Sequence, residues 1–150
     1  MNTTSVPLYI YITGPLFDPG ARWYLEQVDT LCRELGFRTY LPHRDGGIKS
    51  PTADFKAIFL ADVRALAAVD LVVAVLNGPD IDSGTAWEMG VAYARGCPII
   101  GLHEDIRIRE AAKQMNIVVY YSADQVCASL AELQGALTVV LQTKGAQIDA

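Results

Sequence analysis

A block of lysine or arginine is the first thing missing from this sequence. Arg22, Arg33, Arg38, Arg44 and Lys49 lie scattered along a 150-residue chain of net charge −5. That distribution excludes an electrostatic grip on a nucleic-acid backbone, which needs clustered cations to displace counterions. It does not exclude a small neutral ligand. Cysteine is scarce as well: Cys32, Cys97 and Cys127 are odd in number and far apart, with no CxxC and no Cys/His cluster. Such spacing supports neither a disulfide framework nor a zinc site, so ordinary buried thiols are expected and no metal. Neither GxGxxG nor a loop ending in GK[ST] occurs, which removes the two standard ways of cradling a dinucleotide or a triphosphate. No cofactor is called for. His43 and His103 have no Ser or Cys partner at a triad spacing; His103 reads as incidental, His43 as a candidate for pocket lining. No apolar run approaches the length that spans a bilayer, and Met1 to Pro7 lacks the basic-then-apolar pattern of a leader. A cytoplasmic location is expected.

What is present is a chain that can build a core. Apolar residues make up 51% and charged residues 19%, the balance of one folded domain of ordinary size. Leu8 to Thr13 is a β-rich run stopped by Gly14-Pro15. Ala21 to Leu35 carries Trp23, Val28, Leu31 and Leu35 near one helical face and ends at Gly36. Phe37 to Leu41 reads as a strand closed by Pro42, and His43 to Thr52 as a polar loop. A helix over Ala53 to Val69 leads through Asp70 into Leu71 to Leu76, an apolar run that fits a strand buried on both faces. A helix from about Thr85 to Arg95 follows, then a strand over Cys97 to Leu102, a fifth over Ile117 to Tyr121, and a final helix over Ser122 to Leu141, with a frayed tail from Thr143. Alternating strands and helices predict one α/β domain over 1–150: a flavodoxin/Rossmann-like, doubly wound parallel sheet of about five strands with helices on both faces.

Such sheets bind ligands at the carboxyl ends of their strands. The loops there are Gly14 to Gly20, Pro42 to Pro51 and Asn77 to Gly84, all rich in Gly, Pro and Asp. Glu88 stands out, in the first turn of the helix that follows Leu71 to Leu76. A helix N-terminus favours an ionised carboxylate, and an ionised, immobile carboxylate suits nucleophilic attack on an electron-poor carbon. Thr85-Ala86-Trp87-Glu88 also fits a capping box, and spacing alone does not separate the two. Asp82 on the loop and Asp62 on the preceding helix could raise the pKa of a neighbouring carboxyl and keep one protonated as a general acid; a turn residue and a solvated helix face are the plain alternatives. Tyr11, near the end of the first strand, could set its hydroxyl against a carboxylate, or be a core tyrosine. Phe17, Trp23 and Trp87 are core types, although an aromatic in the first loop could wall a planar ring. Arg44-Asp45 sets a donor fork beside an acceptor, suited either to reading the edge of a base or to a local ion pair.

Taken together these segments resemble the nucleoside 2-deoxyribosyltransferase family. The resemblance rests on Tyr11-Ile12-Thr13-Gly14-Pro15-Leu16-Phe17, on Leu41-Pro42-His43-Arg44-Asp45-Gly46-Gly47, on Asp62 with Val69 to Ala74 after it, and most on Asp82-Ser83-Gly84-Thr85-Ala86-Trp87-Glu88-Met89-Gly90-Val91-Ala92, which follows D-x-G-x-x-x-E-x-G-x-A. It implies that Glu88 attacks C1′ of a 2′-deoxynucleoside, forming a deoxyribosyl ester by the logic of a retaining glycosidase. A second free base then takes the sugar, with slow hydrolysis as a side reaction. Asp82 and Asp62 would contact the departing base and assist its protonation, and Tyr11 would orient Glu88. Gly14, Phe17, Arg44, Asp45 and Gly84 are expected at the pocket. The resemblance further implies a homo-oligomer built from dimers, with Asn116 of a neighbouring copy reaching the sugar hydroxyls, and a place in deoxynucleoside salvage.

Two other readings compete. A 2′-deoxynucleoside 5′-monophosphate N-hydrolase needs a phosphate cradle, but the first loop is apolar and then acidic at Asp18, which repels phosphate. A non-catalytic nucleotide-sensing module predicts binding without turnover and tolerance of Glu88→Ala.

Overall fold

The computed structural model describes residues 6–107 and 115–148. The first five residues, read above for a leader, residues 108–114, and residues 149–150 at the end of the tail expected to fray lie outside that description. Five parallel strands form a single sheet: β1 (Tyr9–Thr13), β2 (Arg38–Tyr40), β3 (Leu71–Val75), β4 (Ile99–Leu102) and β5 (Gln125–Cys127), in the order β2-β1-β3-β4-β5. Register is fixed by pairs such as Tyr11 with Tyr40, Thr13 with Ala74 and Val75 with Leu102. Among the described residues the strands are connected by helices α1 (Pro19–Glu34), α2 (Pro42–Asp45), α3 (Phe55–Ala68), α4 (Ser83–Ala94) and α5 (Ile117–Ser122), and α6 (Leu130–Ile148) follows β5.

Because strand side chains alternate between faces, β1 and β3 serve two cores at once. Ile10, Ile12, Leu71, Val73 and Val75 pack with Leu25, Val28 and Cys32 of α1 and Leu133 and Leu137 of α6. Tyr11, Val72 and Ala74 face the other way, onto Leu66 of α3 and Met89 and Ala92 of α4. This is the doubly wound sheet expected from the sequence. Tyr9, two residues before Tyr11, packs against the same second core.

The chain beyond β4 departs from expectation. Ile117 to Tyr121 forms helix α5 rather than a strand, with the Asn116 side chain accepting from the Val118 N–H at 2.9 Å as its cap. The fifth strand is the short Gln125–Cys127, so Cys127 lies on a strand rather than a helix. The final helix begins at Leu130, and the stretch expected to fray from Thr143 stays helical as far as Ile148. The second loop contains the short helix α2, which starts at Pro42. Cys32 and Cys127 are buried, as ordinary thiols, and Cys97 is half-buried. Trp23 and Trp87 are not core residues: both are more than half exposed, and Trp87 leans on the equally exposed Phe59. No helix among the described residues is long and apolar enough to cross a membrane.

Candidate active site

The sheet order reverses direction between β1 and β3, opening a crevice at their carboxyl ends. Glu88 bridges that crevice. It rises from α4, the helix after β3, and both of its carboxylate oxygens are taken by hydroxyls of β1. Tyr11 donates to Oε1 at 2.7 Å, and Thr13 donates to Oε2. Tyr11 and Thr13 are two apart, so the strand period sets both hydroxyls on one face. Each oxygen keeps a further lone pair.

The start of α4 explains why Glu88 is free for this contact. Asp82 is the helix cap, accepting from the Thr85 N–H at 2.9 Å and the Thr85 hydroxyl at 3.1 Å. A side chain added at Gly84 would stand 3.1 Å from that Asp82 carboxylate, so glycine leaves the cap room. The capping box expected at Thr85–Glu88 is therefore not formed, because the helix begins earlier, at Ser83. Glu88 lies in the second turn rather than the first. The field of a helix terminus falls off within a turn, and it is not what holds Glu88. Burial pushes the Glu88 carboxyl above the usual range; hydrogen bonds from Thr13 and Tyr11 oppose the shift, while the charges of Asp62 and Asp82 add to it.

A second carboxyl stands close by. Asp62 of α3 accepts from the Tyr40 hydroxyl at 2.8 Å through Oδ1, and burial raises its pKa against the opposing hydrogen bond from Tyr40. Tyr40 stacks on Tyr11, with ring centroids 5.2 Å apart and planes 19° from parallel. Burial and the neighbouring carboxylates push both phenols well above their usual range, so they remain donors. The result is a continuous set, Thr13–Glu88–Tyr11–Tyr40–Asp62, in which no Lys or Arg contacts either carboxyl among the described residues. Two raised carboxyls without a cation suit a division of labour, one ionised and one protonated.

Sequence reasoning named Glu88, Asp62, Asp82 and Tyr11, and the fold gathers them. It missed Thr13, Tyr40 and Gly46. A Cβ on Gly46 would come within 2.5 Å of Asp62 Oδ1 and 2.6 Å of the Tyr40 hydroxyl, so only glycine lets the second loop close over this pair. The Gly46-Gly47 doublet was the available signal. Gly14 is a packing residue, since a side chain there would meet Leu25 at 2.7 Å and Val75 at 3.0 Å. Phe17 is 79% exposed on the first loop, open to a planar ligand rather than in the core.

Arg44 and Asp45 are not brought into this set. The Arg44 guanidinium turns to the α1 side of the sheet, donating to Asp29 at 2.8 Å, to Asp45 at 2.7 Å and to the Thr39 carbonyl at 3.1 Å. Asp45 accepts from the Leu41 N–H at 2.8 Å as well. Of the two roles weighed for this pair, the geometry favours the local ion pair, because the polar atoms needed to read a base are already matched within the chain. His43 pairs with Glu26 of α1 at 3.0 Å rather than lining the crevice. Asn116 is exposed and caps α5.

Comparison with known proteins agrees with this geometry. The family model described as nucleoside 2-deoxyribosyltransferase matches residues 10–137. A conserved protein from Enterococcus faecalis V583 shares 31% identity, covering 89% of this chain and 98% of its own, with a TM-score of 0.74. The 2-deoxyribosyltransferase of Bacillus psychrosaccharolyticus has the same fold at 19% identity (84% and 90% covered, TM-score 0.72), as does that of Leishmania mexicana at 23% (87% and 95%, TM-score 0.66). No curated protein matches. With its crevice built from the segments that the family model spans, the chain belongs to the nucleoside 2-deoxyribosyltransferase family of nucleoside-processing enzymes.

Proposed function

We propose that the protein transfers the 2-deoxyribosyl group of a 2′-deoxynucleoside to another free purine or pyrimidine base. The observation that carries this reading is the Glu88 carboxylate, fixed at both oxygens by Tyr11 and Thr13, with a second carboxyl, Asp62, raised by burial nearby. A carboxylate held by neutral donors keeps its nucleophilicity, because no cation is paired with it. Glu88 attacks C1′ through an oxocarbenium-like transition state, the C1′–N bond breaks, and Asp62 gives its proton to the departing base. The product is a deoxyribosyl ester of Glu88. A second base attacks C1′ of that ester, loses its proton to Asp62 and frees the carboxylate; water does the same slowly. Asp82 contributes by fixing the start of α4 and by its charge.

Hydrolysis of 5′-monophosphates is the less favoured alternative. Asp18 caps α1, accepting from the Ala21 N–H at 2.9 Å, and so fills with a carboxylate the helix end that would attract a phosphate. The reading includes self-association: the exposed Tyr93, Val118 and Tyr121 lie along one groove between α4 and α5 beside Asn116, a face suited to a second copy whose Asn116 reaches a neighbouring pocket. It also includes a cytoplasmic role in deoxynucleoside salvage.

The test is to mix a 2′-deoxynucleoside with a different free base and separate the products. A new deoxynucleoside is expected, together with a deoxyribosyl adduct on Glu88 in the quenched enzyme by mass spectrometry. Free base and sugar alone would assign a hydrolase, and binding without product a sensing module.

A further inference from the structure

Tyr40 ends β2 and pairs across the sheet with Tyr11, so the two rings stand side by side on one face and stack. The residue is buried, and its hydroxyl donates to Oδ1 of Asp62 at 2.8 Å. Gly46 seals this contact from the second loop. Its backbone is ordinary, at φ −92°, so glycine is required there for space alone: a methyl would stand 2.5 Å from Oδ1 and 2.6 Å from the hydroxyl. With the phenol on one side and Gly46 on another, Oδ1 has little room for a ligand. Oδ2 is different. It has no hydrogen-bond partner among the described residues and remains accessible, since the buried side-chain atoms without a partner there are confined to His43 and His103.

A neutral carboxyl has one oxygen that carries the proton and one that accepts. Burial and the hydrogen bond to Asp62 hold the Tyr40 phenol above its usual range. This hydroxyl therefore stays a donor, and the oxygen it faces stays an acceptor. The titratable groups around the two carboxyls are Tyr40 and Tyr11 on the strands, Asp82 at the start of α4 and, beyond the phenol, Asp45 and Tyr9. None of them is a cation.

We propose that Tyr40 is a positioning residue for the acid: by holding Oδ1 as an acceptor it places the transferable proton on the open Oδ2. As the C1′–N bond breaks, its electron pair passes to the base, the Oδ2–H bond breaks, and the proton joins the base nitrogen. The same phenol then stabilises the carboxylate left behind, because a hydrogen bond to an ionised acceptor is the stronger one. In the second half the incoming base gives its proton to Oδ2. The inference rests on the transferase reading above, with Asp62 as its acid.

The experiment is a double-mutant cycle on transfer kinetics over a pH series, using wild type, Tyr40→Phe, Asp62→Asn and the double variant. Phenylalanine keeps the ring and its stack on Tyr11 and removes only the hydroxyl. Tyr40→Phe should lower kcat about 10–100-fold with KM little changed. Its falling limb, where Asp62 loses its proton, should move to higher pH, because the lost hydrogen bond had favoured the ionised form. In the Asp62→Asn background the same change should cost no more than about twofold. If Asp62→Asn is too slow to measure, the pH limb decides. Melting curves show which variants fold; if Tyr40→Phe does not, Gly46→Ala, which disrupts the pair from the loop side, takes its place. An equal loss in both backgrounds, or a falling limb that does not move, overturns the inference and leaves the transferase reading standing. An Asp62→Asn variant as active as wild type defeats the acid assignment and the inference with it. A wild type that forms no new deoxynucleoside defeats the transferase reading itself.

Discussion

Two acidic clusters sit back to back across the β1–β2 edge of the sheet, and they are treated in opposite ways. On the α1 side, Asp29 and Asp45 share the Arg44 guanidinium, with Arg33 also 3.6 Å from Asp29. Burial pushes the Asp45 carboxyl up, but the hydrogen bonds from Arg44 and the Leu41 N–H together with the charges of Arg44 and Arg33 outweigh it and hold the carboxyl below the usual range, while the hydrogen bond from Asp45 raises Arg44. On the α3–α4 side, Glu88 and Asp62 are held by hydroxyls of Thr13, Tyr11 and Tyr40, and both carboxyls are raised. A guanidinium stabilises a carboxylate so well that it removes the carboxylate from chemistry. Hydroxyls orient a carboxylate without quenching it. The first cluster joins α1, β2 and α2; the second leaves two carboxyls with no cation among the described residues.

The contrast can be broken from either side. Glu88→Ala should lower the transfer rate by roughly a thousandfold or more, as removal of a nucleophile does, while the melting temperature barely falls. Asp62→Asn should cost about 10²–10⁴ in kcat, and most for donors whose base departs poorly without protonation. Loss of one donor to the carboxylate, in Thr13→Val or Tyr11→Phe, should cost about 10–100-fold, from roughly 1.5–3 kcal/mol for a hydrogen bond to a charged group. Arg44→Ala should do the reverse of these. It leaves the buried Asp29 without its main cation, and since Arg44 is itself 36% exposed the loss of stability is discounted to about 1–2 kcal/mol, read by denaturant unfolding with kcat little changed.

The smallest effect concerns pH. Because burial raises the Glu88 pKa, the folded state binds that proton more tightly than the unfolded chain does. The stability this contributes is complete below the ordinary glutamate range and lost as pH rises through the raised value. Glu88→Gln has no such titration. The melting temperature of wild type relative to Glu88→Gln should therefore drift downward with rising pH across that window; an upward drift would show that Glu88 is paired with a cation after all.

Much of this was legible in the sequence, for physical reasons that also mark where legibility ended. Leu71 to Leu76 reads as a central strand because both of its faces are buried, and Gly36 and Gly96 stop helices where their positive φ lets the chain turn. Ile117-Val118-Val119-Tyr120-Tyr121 misleads because β-propensity is mostly a preference for a half-buried pleated surface; here an Asn116 cap and an exposed position give a helix. The true edge strand, Gln125–Cys127, has one exposed and one half-buried residue of three and carries little pattern. At the site, Glu88 is visible because its spacing from Asp82 and Gly84 is local. Thr13 and Tyr40 are not, since a hydroxyl on a strand looks like any core residue until the sheet brings it to a helix from elsewhere in the chain.

That last feature has a consequence for how the molecule can be assayed. The two hydroxyls on Glu88 come from residues 77 and 75 positions away along the chain, and neither contact survives if β1 leaves the sheet or α4 leaves β3. Turnover is therefore a property of the assembled domain, not of any fragment or partly ordered state. Followed through a denaturant titration, enzymatic rate should never outlast the sheet, so any turnover that persists reports an intact domain.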